Sequence, residues 1–346
     1  MDRRTFLKST TVAAGSGLAL SSTPVLAGAD PDPLAAPALS RGTIELAFAA
    51  AWEPDVPVFG DAAQRMLTRL GQLLDGRCHL VAVEASEEAD LVFGPVSVEQ
   101  DPAFAFFCGL PGSYGLDLAH LQAWLVAGGG QMLWDDLAAR HGLKPLLAGH
   151  TGQSPGLWTA CPIRSAADLA GVSLAVGGPG ASVASKLGAI PCEWPASQLR
   201  DGLANRELTA VEWGNPLAGL MLGLPQVATH FHIGGIHRNG MAIAMHVRMA
   251  IWERLDQSTR LALEALAAHE LAVSSAESLS HACLAEQVIT AMPDLEVVEF
   301  PPMLATAIDQ ATAALIEEIG VTSPDSARIR DSYVQYHRQV HSPQLV

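Results

Sequence analysis

The feature that most limits how this chain can fold is the stretch 252–292, which keeps a helical pattern almost without interruption. At 1.5 Å per residue such a helix would be about 60 Å long, wider than one small domain. It is therefore expected either to lie across two lobes or to be broken once. A length of 346 residues allows one large domain or two medium ones. Hydrophobic residues make up 49% of the chain, enough for a substantial core and too many for a disordered one.

Two short stretches give the helix something to bridge. Residues 172–176 form an apolar run with Ser173 as its one polar member, and Gly177, Gly178, Pro179 and Gly180 follow at once. A strand that stops in glycines exposes backbone at its carboxyl end, where open α/β sheets bind ligands. A second apolar run ends in Glu212, Trp213 and Asn215 before Pro216. With a helical pattern at 195–205 between them, the two read as a β-α-β unit whose polar groups gather on one rim. The plainer reading is a pair of ordinary strand-end turns. Further strands are expected at 43–49, 78–84, 90–93 and 145–148. Helices are expected at 61–74, 116–126, 131–140 and 302–319, the last with an apolar stripe of Leu304, Ile308, Ala311, Leu315 and Ile319. That stripe would pack on the body or on a second copy, so a homodimer is one reading. Ser165 and Asp168 have the spacing of a capping box.

Charge and termini narrow the classes. A formal charge of −16 argues against nucleic acid and against anionic membrane surfaces. Arg3 and Arg4 followed by Phe6, Leu7 and Lys8 have the form of a twin-arginine export signal, with an apolar region at 12–19 and small residues Val25 and Ala27 before the cut. A periplasmic protein is expected. Cys78, Cys108, Cys161, Cys192 and Cys283 are odd in number and lack Cys-x-x-Cys spacing, so they select neither a metal nor a redox motif.

Two other chemistries compete. Gly152, Ser154 and Gly156 satisfy the G-x-S-x-G pattern of a serine hydrolase, but Pro155 directly after the serine opposes the helix that the nucleophile elbow needs. His230 and His232 alternate along one strand face with His237 a short loop away, a zinc or copper reading weighed against scattered hydrogen-bonding histidines.

The order of several motifs carries a family resemblance. Gly128-Gly-Gly-Gln-Met-Leu-Trp134 comes first, then Gly149-x-Thr151-Gly152 with Trp158 behind it. Asp168-Leu169-x-Gly171 then leads to residues 185–189, and Val211-Glu212-Trp213-x-x-Pro216 closes the series. The chain resembles the solute-binding receptors of tripartite ATP-independent periplasmic (TRAP) transporters, most of all the 2-oxo acid and mannitol/chloroaromatic subgroup, over roughly residues 124–266. The resemblance implies a two-lobed α/β periplasmic binding fold with a hinge, a cleft and a long bridging helix. It implies capture of one small solute, typically a carboxylate, without catalysis, for the membrane permease subunits. A receptor-derived sensor that signals through a membrane kinase is the alternative from another class. Expected boundaries are a signal peptide at 1–27, a spacer at 28–42, and one lobe from 43–148 and about 237–290. The other lobe is expected from 149–236 and about 291–320, with a helical segment at 321–346.

Departures from the family pattern are informative. The arginine that such receptors use to fork onto the ligand carboxylate falls at Ala175, and a glutamine that helps hold metal and substrate falls at Ser154, with Gln153 beside it. Glu212 and Trp213, which the resemblance links to a cation beside the solute, are present. The family's glycine before the proline is Asn215 here. The resemblance thus offers Glu212, Trp213 and Gln153 as ligands for Na+ or Ca2+, with His150, Gln153, Ser154, Trp158, Ala175, Gly177, Glu212, Trp213, Asn215, His237 and Arg238 around the solute. Arg238 falls where the subgroup has an acid, and it is the candidate replacement cation.

Overall fold

The structure, a computed structural model, describes residues 42–341 except 55, 57 and 153. The export signal, nearly all of the spacer and Gln153 lie outside the described residues. Two mixed sheets organise the rest. The strands of the first are β1 (Ile44–Ala50), β2 (Cys78–Ala82), β3 (Leu91–Pro95) and β4 (Leu143–His150), together with the much later Ala242–Arg248. The second holds β5 (Leu157–Thr159), β6 (Ser173–Ala175), β7 (Ile190–Cys192), β8 (Ala210–Val211) and β9 (His230–Ile233), joined by Glu296–Glu299. With the late strands as β10 and β11, the orders are β2-β1-β3-β10-β4 and β11-β9-β5-β8-β6-β7. Each sheet is thus completed by a strand that returns after the chain has visited the other. β10 runs antiparallel to β3 and β4, whereas β6 and β8 are parallel neighbours with Ala175 opposite Val211.

Helices clothe the sheets as the periodicity requires. α1 (Phe59–Leu73) buries Phe59, Ala62, Met66 and Leu70 on one face. α2 (Ala105–Cys108), α3 (Leu118–Val126) and α4 (Gly130–Arg140) follow the third strand. α5 (Gly178–Lys186), α6 (Leu199–Ala204) and α7 (Pro216–Met221) belong to the second sheet. Ser165 and Asp168 form the expected capping box, on a 3-10 turn at Ala166–Leu169.

The long helix is both broken and bridging. α8 (Met249–Arg254) stops at Leu255, whose ψ of 143° is extended, and Asp256 then caps α9 (Gln257–Thr290) by accepting from Thr259 N at 2.8 Å. The 34 residues of α9 span roughly 50 Å. Near its start Leu263, Leu266 and Ala267 join the core under the first sheet, and near its end Ile289 joins the core under the second. Arg65 of α1 pairs with Glu270 and Glu277 on α9, which ties the first half of the bridge to the first lobe.

α10 (Pro302–Gly320) buries its whole stripe, Leu304 to Ile319, in a core shared with α2, α3 and α4. Its place is therefore within the molecule and not on a second copy. α11 (Pro324–His341) packs beside it, and the buried Tyr333 hydroxyl donates to Tyr114 O at 2.8 Å.

Candidate binding site between the two lobes

Between the sheets lies a cavity of about 350 Å³. From the first lobe it is walled by Trp52 and Phe59 at the end of β1 and start of α1, by the run after β3 that includes Ser97 and Glu99, and by Thr151 and Met241. The second lobe contributes Gly177 and Gly178 at the start of α5, Glu193 just after β7, and Glu212, Trp213 and Gly214 after β8. All these second-lobe groups sit at carboxyl ends of the parallel strands, the edge where such sheets hold ligands. Trp213 packs against both cores, and Trp52 stacks on Phe59 with ring centroids 4.8 Å apart.

Glu212 is the chemically unusual member. It is 4% exposed, yet its carboxylate accepts from the backbone N–H of Ile236 and of His237, and from His237 Nδ1 at 2.8 Å. Gly180 N–H donates to the other ring nitrogen, Nε2, at 3.2 Å, so the proton of a neutral His237 ring sits on Nδ1. A buried carboxylate is stable only with such donors, and here the protein supplies three of them. Gly235 makes the approach possible: it has φ of 55°, and a Cβ there would stand 2.6 Å from Glu212 Oε2.

The same contacts locate the pivot. Residues up to His237 are fastened to the second lobe, whereas Asn239 donates to Gly115 O and Met241 N–H donates to Thr151 Oγ1 in the first. The other crossover runs alongside at Gly152, since a Cβ on Gly240 (φ 74°) would fall 2.0 Å from Gly152 O. Gly149 lies outside the pivot, held inside β4 opposite Ile243. α9 makes the third connection.

Other expected site residues lie elsewhere. Trp158 is fully buried against Phe231, and Ala175 sits in the same core of the second lobe, so neither lines the cavity. Asn215 caps α7 by accepting from Ala218 N. His150 is buried at the end of β4, where desolvation lowers its pKa to about 4. Arg238 is exposed and faces a different cavity, on the side of α9 that carries Glu286 and Thr290. It does not line the cavity described above. Ser154 lines that same second cavity, and a strand, β5, follows it where a nucleophile elbow requires a helix. That geometry is not a nucleophile elbow. The zinc reading fails. His237 is committed to Glu212 and His230 lies 3.1 Å from Glu296, and among the described residues no three His, Cys, Asp or Glu side chains are grouped to hold a metal.

Glu99, Glu193, Trp52, Phe59, Cys108 and Met241 were not singled out by the sequence. The only signal available for them was their position just beyond a strand or at a helix end.

No protein-family model matches the chain. A monocarboxylate 2-oxoacid-binding periplasmic protein of Nostoc sp. is 30% identical over 188 residues, 54% of this chain and 51% of that protein. The chain thus spans about half the length of the curated relative it matches. Among solved structures, a TRAP transporter solute-binding protein from Bordetella bronchiseptica matches with a TM-score of 0.81 at 24% identity, covering 86% of this chain and 93% of that one. It is a mixed-occupancy dimer with calcium and picolinate in its active site. A TRAP periplasmic solute-binding protein from Pseudoalteromonas atlantica, with sodium and pyruvate, matches at 0.80 and 23%, covering 86% and 95%. The molecule is a two-lobed α/β protein with its cavity between the lobes. More particularly, its fold is that of the TRAP periplasmic solute-binding proteins.

Proposed function

We propose that this protein is an exported, non-catalytic receptor that captures one small polar solute in the interlobe cavity and presents it to TRAP membrane subunits. The observation that carries the reading is the cavity itself, walled by both lobes beside a pivot of two adjacent, antiparallel crossovers. A solute that touches both walls binds the closed form better than the open one, and this difference in affinity is what drives closure. The relatives' binding of pyruvate and picolinate, and the partial match to a 2-oxoacid-binding protein, support the same class. Arg3 and Arg4 support export through the twin-arginine route, and their exchange for lysine should hold the protein in the cytoplasm.

A Na+ or Ca2+ ion beside the solute, as in those two structures, would draw on Glu212, Trp213 and Gln153. Hard cations take six or so oxygen ligands, and Glu212 already accepts three N–H donors. Calcium titration in a thermal-shift assay reports on this directly.

The receptor reading is tested by mass spectrometry of the solute that co-purifies with the exported protein, and by small-angle scattering with and without that solute. Binding should raise the melting temperature and shrink the radius of gyration. A protein that bound none of a broad panel of acids, amines and polyols would not be a receptor.

A further inference from the structure

We infer that the interlobe cavity selects a solute bearing an ammonium group, which supplies the positive charge that an arginine or a metal would otherwise bring. The inference rests on the receptor reading above. Among the described lining residues are Glu99, Glu193 and Glu212, and no lysine, arginine or histidine. Glu212 has its acceptor sites met within the protein by His237 and two backbone donors. Glu99 and Glu193 have no ion-pair partner among the described residues.

Their placement decides what they do. Glu99 follows β3 of the first lobe and Glu193 follows β7 of the second, so closing the lobes brings two like charges toward one space. That repulsion opposes closure, and a bound cation reverses its sign. A bare carboxylate solute would add a third negative charge to the same space. At the start of α5 two of the backbone donors that might offset it are missing: Pro179 has no N–H, and Gly180 N–H goes to His237. The rest of the wall is aromatic, from Trp52, Phe59 and Trp213. Aromatic faces beside carboxylates recognise ammonium groups through cation–π attraction and charge-assisted hydrogen bonds. Thr151, whose hydroxyl accepts from Met241 N–H, keeps its own proton to offer a neutral acceptor on the solute. The favoured solute is a small ammonium compound that also carries a hydroxyl or carbonyl.

Calorimetric titration of the purified exported protein tests this with ethanolamine, choline and pyruvate, each in EDTA and again with calcium chloride. Ethanolamine or choline should bind in EDTA, and Glu99→Gln and Glu193→Gln should each weaken that binding about tenfold. Binding of pyruvate by a protein that ignores both ammonium compounds would overturn the ammonium assignment and leave the receptor reading standing. Ammonium binding unchanged in both glutamine variants would overturn the placement of the charge. A protein that bound no ammonium compound, and from which no solute co-purified, would lose both readings.

Discussion

Glu212 accepts two backbone N–H groups and one imidazole while almost shut off from water, so its replacement tests folding before it tests binding. Glu212→Gln turns one acceptor oxygen into a donor facing other donors, and should cost about 2 kcal/mol in urea unfolding. Arg238 gives the opposite expectation. Its side chain faces the cavity beside Glu286, so Arg238→Ala should leave solute affinity within about twofold, a change too small for a cleft guanidinium. Glu212 is legible from local pattern, at the end of an apolar run, whereas Arg238 was marked only by the family resemblance. The direction of Arg238 is not legible, because it is fixed by the backbone path between His237, held by Glu212, and Asn239, held by Gly115. Nor could Glu99 and Glu193 be paired in advance: nothing local in a sequence places residues from two sheets across one space.

The bridging helix α9 was legible as a length, and the position of its break was not, because Asp256 is one cap among many polar residues in a helical pattern. Removing that cap with Asp256→Ala should cost about 1 kcal/mol. The anchor is more severe. Glu270 is fully buried and Arg65 is its partner, so Arg65→Met leaves an uncompensated carboxylate and should cost about 3 kcal/mol in the same unfolding assay. The strands were read from apolar runs, and β1 and β4 were found, whereas β10, equal to β1 in length, was not. Short members such as β5, β7 and β11 carry too few residues for alternation to show, and they exist because neighbours supply the pairing.

Stability of the whole molecule should depend on pH through buried histidines. Burial lowers the pKa of His150 and of His232 from 6.5 to about 4, so in this range the unfolded chain takes up protons that the folded one refuses. The stabilisation is complete above 6.5 and is lost as pH falls toward 4; urea midpoints measured across that interval should decline steadily. Lobe movement has an optical consequence as well. Of seven tryptophans, Trp124, Trp134 and Trp158 are wholly enclosed, whereas Trp213 is half-buried and leans on the cores of both lobes at once. When the lobes part, one side of that indole passes from side chains to water while the enclosed rings keep their surroundings. The emission of the unlabelled protein therefore carries a built-in gauge of closure: it should shift to the blue as solute binds, and Trp213→Phe should weaken the shift to the part that Trp52 supplies.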